Sequence, residues 1–401
     1  MKRPDLSAEQ ATYFFLLLGA TLPVVSIAVS QIFLALAIAG FAWEKYSSGS
    51  FRFFFPPIKA PLLLFMGYTF ISLLFSPEPG IGRAPVNKFW LFVLIPLVAN
   101  LYNLERVFQT YSMLFFLGIL SSVLTIAQYL IVSRISVETR LTGFMGHWMT
   151  LSGELMLVFI ALTGFILFGK PEKVPIWLAG VGLIGVALSL TLTRSVWIAT
   201  IGGALVLLLM KHFHWKTLAF TALSFTLILL LAPDFIRKRI ESVWNPNEPS
   251  NYARIAIWKA GFRMVQAHPW FGVGPQRISR VFYEYHPYPE DRKRSGFYPV
   301  HMHNNLLQFA AERGIPCAVF WLWLMFKLAV DHWKGYRQTS QDQKEKAVFA
   351  IGFTAVLALF LAGFFEFNFG DSEVLMIFLF LVSAPYAVGR VPERTQPGIR
   401  D

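Results

Sequence analysis

Apolar runs long enough to cross a membrane recur along most of this chain. A span needs about 20 mostly apolar residues. Runs of that kind lie near 11–28, 31–43, 58–75, 86–101, 107–132, 147–169 and 174–191. More follow near 195–210, 217–233, 314–330, 347–365 and 372–388, which makes 12 expected spans. The first apolar stretch, Ala11 to Trp43, is expected to break near Ser30-Gln31. The Met1–Gln10 start is polar, with Lys2 and Arg3, so a retained anchor is expected rather than a cleaved signal. One long polar segment interrupts the pattern, Asp234–Arg313, with 80 residues and 19 of the 58 charges. The chain divides accordingly into spans over 1–233, a large loop over 234–313, and spans over 314–401. The expected fold is an all-α polytopic membrane protein with about 12 transmembrane helices and one large, partly helical loop. No internal repeat is visible, which weighs against an inverted-repeat transporter.

Composition agrees. Hydrophobic residues make up 55% and charged residues 14% of 401 positions, with a mean hydropathy of +0.54. Soluble proteins average roughly 25% charged. A soluble enzyme, a disordered chain and a disulfide scaffold are excluded. The single cysteine, Cys317, can close no disulfide within the chain. The net charge of +12 is informative through its distribution. With both ends placed in the cytoplasm, the short inner loops and tails carry 18 lysines and arginines, and the short outer loops carry five. This asymmetry sets orientation, whereas long loops translocate largely regardless of charge. The large loop is therefore expected outside. Its 12 bases against seven acids suit phosphorylated lipids. No stacking-rich basic groove suggests nucleic acid.

Within the loop, Asn251–Ala267 reads as an amphipathic helix. Ile257, Gly261, Met264 and Val265 share one side, Arg254 and Trp258 form an i, i+4 pair, Asn251 is the expected N-cap, and His268-Pro269 is the stop. The glycines of Trp270–Pro275 permit a tight turn, which could be a plain turn or a cradle of N–H groups for phosphate. The cluster Asp291-Arg292-Lys293-Arg294 reads as a solvated face or as an attractor of anionic headgroups. Beyond it, helical spacing places Asn304, Gln308 and Glu312 on one stripe, with His303 beside it and a break at Gly314-Ile315-Pro316. A polar, titratable stripe where the chain re-enters the membrane is costly unless it faces protein or a watery cavity.

Other polar groups fall on the same expected face. Arg194 is either an interfacial snorkelling side chain or an anion clamp, since guanidinium grips phosphate in a bidentate fork. Arg140 lies in RLTGFMGH (140–147), and Glu366, Asn368 and Asp371 cluster between the last two spans. Together, Arg140, Arg194, Arg254, His303 and Glu366 mark an outer-face site. The chain has no Ser-His-Asp elbow, Walker loop, HExxH or Cys/His metal spacing. Neither a metal nor a cofactor is called for. Arginines plus a histidine beside a bilayer match a lipid-linked pyrophosphate. The arginines would stabilise the leaving group, and the histidine would take an acceptor proton.

The order TLTRSVWIA (191–199), Arg254-x-x-x-Trp258 with HPWFGVGP (268–275), and HNNLLQFAAERGIP (303–316) resembles the O-antigen ligase family. RLTGFMGH and EFNFGDSE (366–373) are similar to further family segments. The resemblance implies a GT-C-like glycosyltransferase of 12 helices in the bacterial inner membrane, multi-pass, with both termini cytoplasmic and a periplasmic active site. It implies transfer of a glycan from undecaprenyl pyrophosphate to lipid A-core, with inversion and without ATP or metal. By motif, His303 takes the base role and Arg194 and Arg254 clamp the pyrophosphate. Arg140, Asn304 and Glu312 are supporting candidates. His301, in His-Met-His, is a departure that offers a second base. Cys317 stands where the family often has glycine. O-antigen polymerases and protein oligosaccharyltransferases share the pattern and differ in acceptor. A transporter of lipid-linked glycan would use the arginines without needing the histidine, and a structural scaffold would need neither.

Overall fold

Helices account for every long regular element among the described residues. The computed structural model describes residues 8–132, 140–211, 237–238, 241–242, 245, 248–287, 299, 301–339 and 342–389. The expected span near 217–233, the cluster Asp291–Arg294 and both chain ends lie outside them.

The chain opens with α1 (Ala8–Thr21) and α2 (Ile27–Ser47). The break between them lies at 22–26, not at Ser30-Gln31 as the sequence suggested. Pro23 sits in a short 3-10 turn, and the Ser26 side chain accepts the Val29 N–H as N-cap of α2. Ser30 remains inside α2, and its hydroxyl donates to the Gly19 carbonyl at 2.7 Å, so it ties the two helices together. Next come α3 (Lys59–Leu74) and a segmented span over 83–101, made of α4 (Arg83–Asn87), a 3-10 stretch and α5 (Leu94–Leu101). Then follow α6 (Leu104–Val132), α7 (Trp148–Gly169), α8 (Val174–Leu190) and α9 (Arg194–Lys211). After the loop, α13 (Ile315–Gln338), α14 (Gln343–Ala362) and α15 (Ser372–Val388) complete the bundle. Among the described residues, seven helical segments are long and apolar enough to cross a membrane, and three shorter apolar helices accompany them. The protein is a multi-pass, all-helical membrane protein.

Among the seven span-length helices α7 is the most deeply buried, and it packs against α14, α9, α8, α15 and α6. Lipid tails are as apolar as leucine, so close packing rather than hydrophobicity holds such helices together. Small residues supply it. A Cβ on Gly164 would stand 2.6 Å from Ile351, and one on Gly153 would stand 2.8 Å from Val374.

Three helices of the large loop form a second, smaller core: α10 (Pro249–Ala267), α11 (Ile278–Tyr285) and α12 (Asn305–Arg313). Ile257, Gly261 and Met264 of α10 are buried in it, as their spacing predicted. Its N-terminus differs from expectation. Pro249 starts the helix, and Asn251 lies inside the first turn rather than capping it. A proline is well placed there because its missing N–H has no helical partner to lose.

Candidate functional site

The site is built on how the His301-Met302-His303 segment is held. Met302 is fully buried. Its N–H donates to Gln308 Oε1 at 2.7 Å, and its carbonyl accepts Trp258 Nε1–H at 3.1 Å. With the middle residue clamped from α12 and α10, the two flanking imidazoles are presented side by side, ring centroids 4.2 Å apart. His303 adopts φ +47, a left-handed conformation uncommon outside glycine. Asn304 follows as N-cap of α12 and accepts the Leu307 N–H at 2.9 Å.

The segment between α14 and α15 docks on this helix start. Asn304 Nδ2 donates to the Phe364 carbonyl at 3.0 Å, and Asn305 N donates to the Gly363 carbonyl at 2.7 Å. The Asn305 side chain bonds Asn368 Oδ1 and the Phe369 N–H. This clasp sets Glu366 against the histidines. His303 Nδ1 lies 3.2 Å from Glu366 Oε2, and His301 Nε2 lies 3.9 Å from Oε1. Burial alone would raise the Glu366 carboxyl. The His303 hydrogen bond and the electrostatic pull of His303, His301 and Arg254 outweigh it and leave the carboxyl below its usual range. His301 is pushed down to about 4, chiefly by burial. It is therefore neutral over the ordinary range of pH. Its Nδ1 accepts the His303 N–H at 3.4 Å, which leaves the ring proton on Nε2.

The expected arginines converge on the same region by different routes. Arg194, the first residue of α9, is buried. It donates to Ser242 Oγ and Ser250 Oγ, each at 2.9 Å, and to Asn251 Oδ1 at 2.7 Å. These bonds fix the start of α10. Arg254, one turn further along α10, places its charge within reach of Glu366. The Arg140 guanidinium lies over the Trp148 ring at 4.7 Å. Beside it His147 stacks on Trp148, with ring centroids 4.0 Å apart, and accepts the Met149 N–H at the start of α7. Burial lowers the His147 pKa, against the raising pull of Glu366 and Asp371. Sequence reasoning gave His147 no role and named Glu366 only as a member of an outer-face cluster. The signal for Glu366 was the EFNFGDSE segment, an acid at a membrane edge with no basic neighbour in sequence.

Two stripe residues are taken up by architecture. Gln308 holds Met302, and Glu312 Oε1 accepts the Gln276 N–H at 2.8 Å. The Trp270–Pro275 turn is a plain turn rather than a phosphate cradle. Its Val273 and Gly274 N–H groups donate to the carbonyls of Ala311 and Glu312 at 2.9 and 3.0 Å. They satisfy the last carbonyls of α12, which a helix end leaves without internal partners.

His301, His303 and Glu366 also have ligand atoms within 4.8 Å of one another, a spacing from which a metal ion could be held. The 3.2 Å contact makes them a hydrogen-bonded imidazole–carboxylate pair with a second imidazole beside it. Such a pair can orient a ring, fix its tautomer and stabilise its protonated form.

Comparison with known proteins adds one result. A family model described as O-antigen ligase matches residues 179–322. That stretch runs from within α8 through α9 and the large loop into α13, and it contains Arg194, Arg254, His301, His303, Asn304 and Glu312. Arg140 and Glu366 lie outside it. None of the curated proteins matches the chain.

Proposed function

We propose that this chain, a member of the O-antigen ligase family, is the inverting glycosyltransferase that moves an O-antigen glycan from undecaprenyl pyrophosphate onto lipid A-core. The family supports a ligase- or polymerase-type glycosyltransferase of lipopolysaccharide biosynthesis. Choice of ligase, donor and residue roles is our reading. Its main support is the carboxylate of Glu366 on His303 Nδ1 at 3.2 Å.

In this reading the Nδ1 proton of His303 lies against the carboxylate, and Nε2 is the basic nitrogen. An acceptor hydroxyl oxygen attacks the anomeric carbon of the donor from the face opposite the pyrophosphate. The new C–O bond forms as the bond to pyrophosphate breaks, and the hydroxyl proton passes to Nε2. Glu366 stabilises the resulting imidazolium. Undecaprenyl pyrophosphate leaves with the bonding electrons, and Arg254 and Arg194 offset its growing charge. Arg140 and His147 lie further along the same rim. Asn304 and Glu312 act by holding the segment and the helix that carry His303. The site is taken to face the periplasm of the inner membrane, where both substrates present their sugars.

The test is transfer by purified protein in lipid, supplied with undecaprenyl-pyrophosphate glycan and lipid A-core. His303→Ala should lower kcat by roughly two to four orders. Full activity in His303→Ala would remove the base assignment. Elongation of the donor with no glycan on lipid A-core would make the protein a polymerase. Lipid translocation in liposomes without transfer to any acceptor would end the enzyme reading.

A further inference from the structure

A cavity of about 460 Å³ opens beside His301, within the range of pockets that hold small ligands. Among the described residues, its walls include none of Arg140, Arg194, Arg254 or His303. A two-substrate transferase needs a second binding place next to the base, and this cavity shares only the neighbouring imidazole with the arginine side. The wall chemistry is distinctive. Phe89 and Phe367 are half-buried and offer ring faces, while Gln276, Ser279 and Arg280 offer polar groups from the start of α11 and the turn before it. Among the described residues the wall holds three cations, and carboxylates lie near each. Lys88 donates to the Gly370 carbonyl at 2.5 Å and feels the charges of Asp371 and Glu373. Arg280 pairs with Glu78 at 2.6 Å, and Arg313 lies 3.7 Å from Glu312. The cavity therefore presents fixed hydrogen-bond donors rather than a large unbalanced charge. Aromatic faces for C–H edges and oriented donors and acceptors for hydroxyls suit a sugar better than a pyrophosphate.

At the histidine end, His301 Nε2–H and Glu366 Oε1 face each other across 3.9 Å. The gap is longer than a direct hydrogen bond. It leaves a donor and an acceptor for one hydroxyl beside His303.

We infer that this cavity seats the terminal sugars of the acceptor, and that His301 positions the attacking hydroxyl for His303. The inference rests on the transferase reading above and adds the acceptor's place to it. Ser279 lies in the wall near the protein surface, so Ser279→Trp would fill the cavity from a tolerant position. The experiment measures equilibrium binding of lipid A-core to the purified full chain, a step that needs no turnover, alongside separate binding of the undecaprenyl-pyrophosphate donor. Ser279→Trp is expected to weaken lipid A-core at least about tenfold, as a blocked sugar site should when its oriented polar partners are lost, with donor affinity unchanged. Arg280→Ala, an exposed change, should weaken lipid A-core in the same direction. His301→Asn should raise the acceptor KM and lower kcat while leaving the donor KM unchanged, and His301→Gln should recover part of the loss. Unchanged lipid A-core binding in Ser279→Trp would overturn the proposal, even if His303→Ala abolishes transfer. So would loss of donor affinity in place of acceptor affinity. Selective loss of lipid A-core binding would support the cavity even if His303 proved not to be the base.

Discussion

At the scale of single residues, the assignment of His303 depends on what Glu366 does. A carboxylate on Nδ1 fixes the tautomer and favours the imidazolium formed during attack. Glu366→Gln keeps the shape and removes the charge. Expected kcat falls roughly 10²-fold, donor KM changes by less than about twofold, and the acidic limb of the kcat profile moves. Glu366→Asp should recover part of the rate. An unchanged pH profile with a reduced folded yield would reduce Glu366 to a packing role. Stability on acidification follows from the same groups. His301 has its pKa depressed to about 4 in the folded protein, against about 6.5 unfolded. Its contribution is therefore complete above about 6.5 and is lost as pH falls toward the folded value. Glu366 is also depressed, so its contribution is complete above the ordinary carboxylate range and is lost at lower pH. Thermal unfolding of the detergent-solubilised protein should show a midpoint that drops between pH 7.5 and 5, with a smaller drop in His301→Asn. Equal drops would show that burial of His301 does not govern this window.

The elements explain why the His-x-His segment is so well defined. Gly314 joins α12 to α13 at φ +92 and ψ 162, a region that essentially only glycine enters. A Cβ there would fall on the Trp270 carbonyl oxygen. The same junction carries the Ile315 N–H to Pro269 O at 2.8 Å, so the turn, α12 and α13 meet at one point. Gly314→Ala should cost about 1–3 kcal/mol for the backbone conformation alone, with the clash added. It should lower the thermal midpoint and the folded yield. Ala at Gly80, which has open space around it, is the matched control and should change neither. The helix and the break at 314–316 were legible from the sequence, because a polar stripe, a glycine and a proline mark them. The N-terminus of α10 was not. Asn251 has the right chemistry for a cap, but Pro249 starts the helix and Arg194 takes the asparagine side chain, a contact across 57 positions that no local pattern carries. The Glu366–His303 pair was hidden for the same reason, its partners lying 63 positions apart. The glycine turn could be read only as a turn. What its N–H groups bind depends on where the end of α12 lies.

For the whole molecule, the charge asymmetry predicts a separation of faces. Arg140, His147, Arg194, the His-x-His segment and Glu366 come from four stretches of chain and gather at one end of the bundle. At the other end, Lys211 lies over Phe168, Lys346 lies over Tyr336, and the Tyr336 hydroxyl donates to the Met210 carbonyl. Two of the bases assigned to inner loops, Lys211 and Lys346, thus lie at the end opposite the site, and orientation by positive charge would put that end in the cytoplasm. Cysteine labelling tests this directly, because the single native cysteine, Cys317, is buried. Gln276→Cys, at an exposed position beside the site, should react with a membrane-impermeant maleimide in intact spheroplasts. Lys173→Cys, exposed between α7 and α8, should react only after the membrane is permeabilised. Reversal of the two would put the site in the cytoplasm and separate it from a periplasmic acceptor. Protection of both in intact cells would mean that the loop helices lie against another surface. The expected pattern leaves the arginines, the imidazole–carboxylate pair and the cavity open to the compartment where the proposed substrates meet.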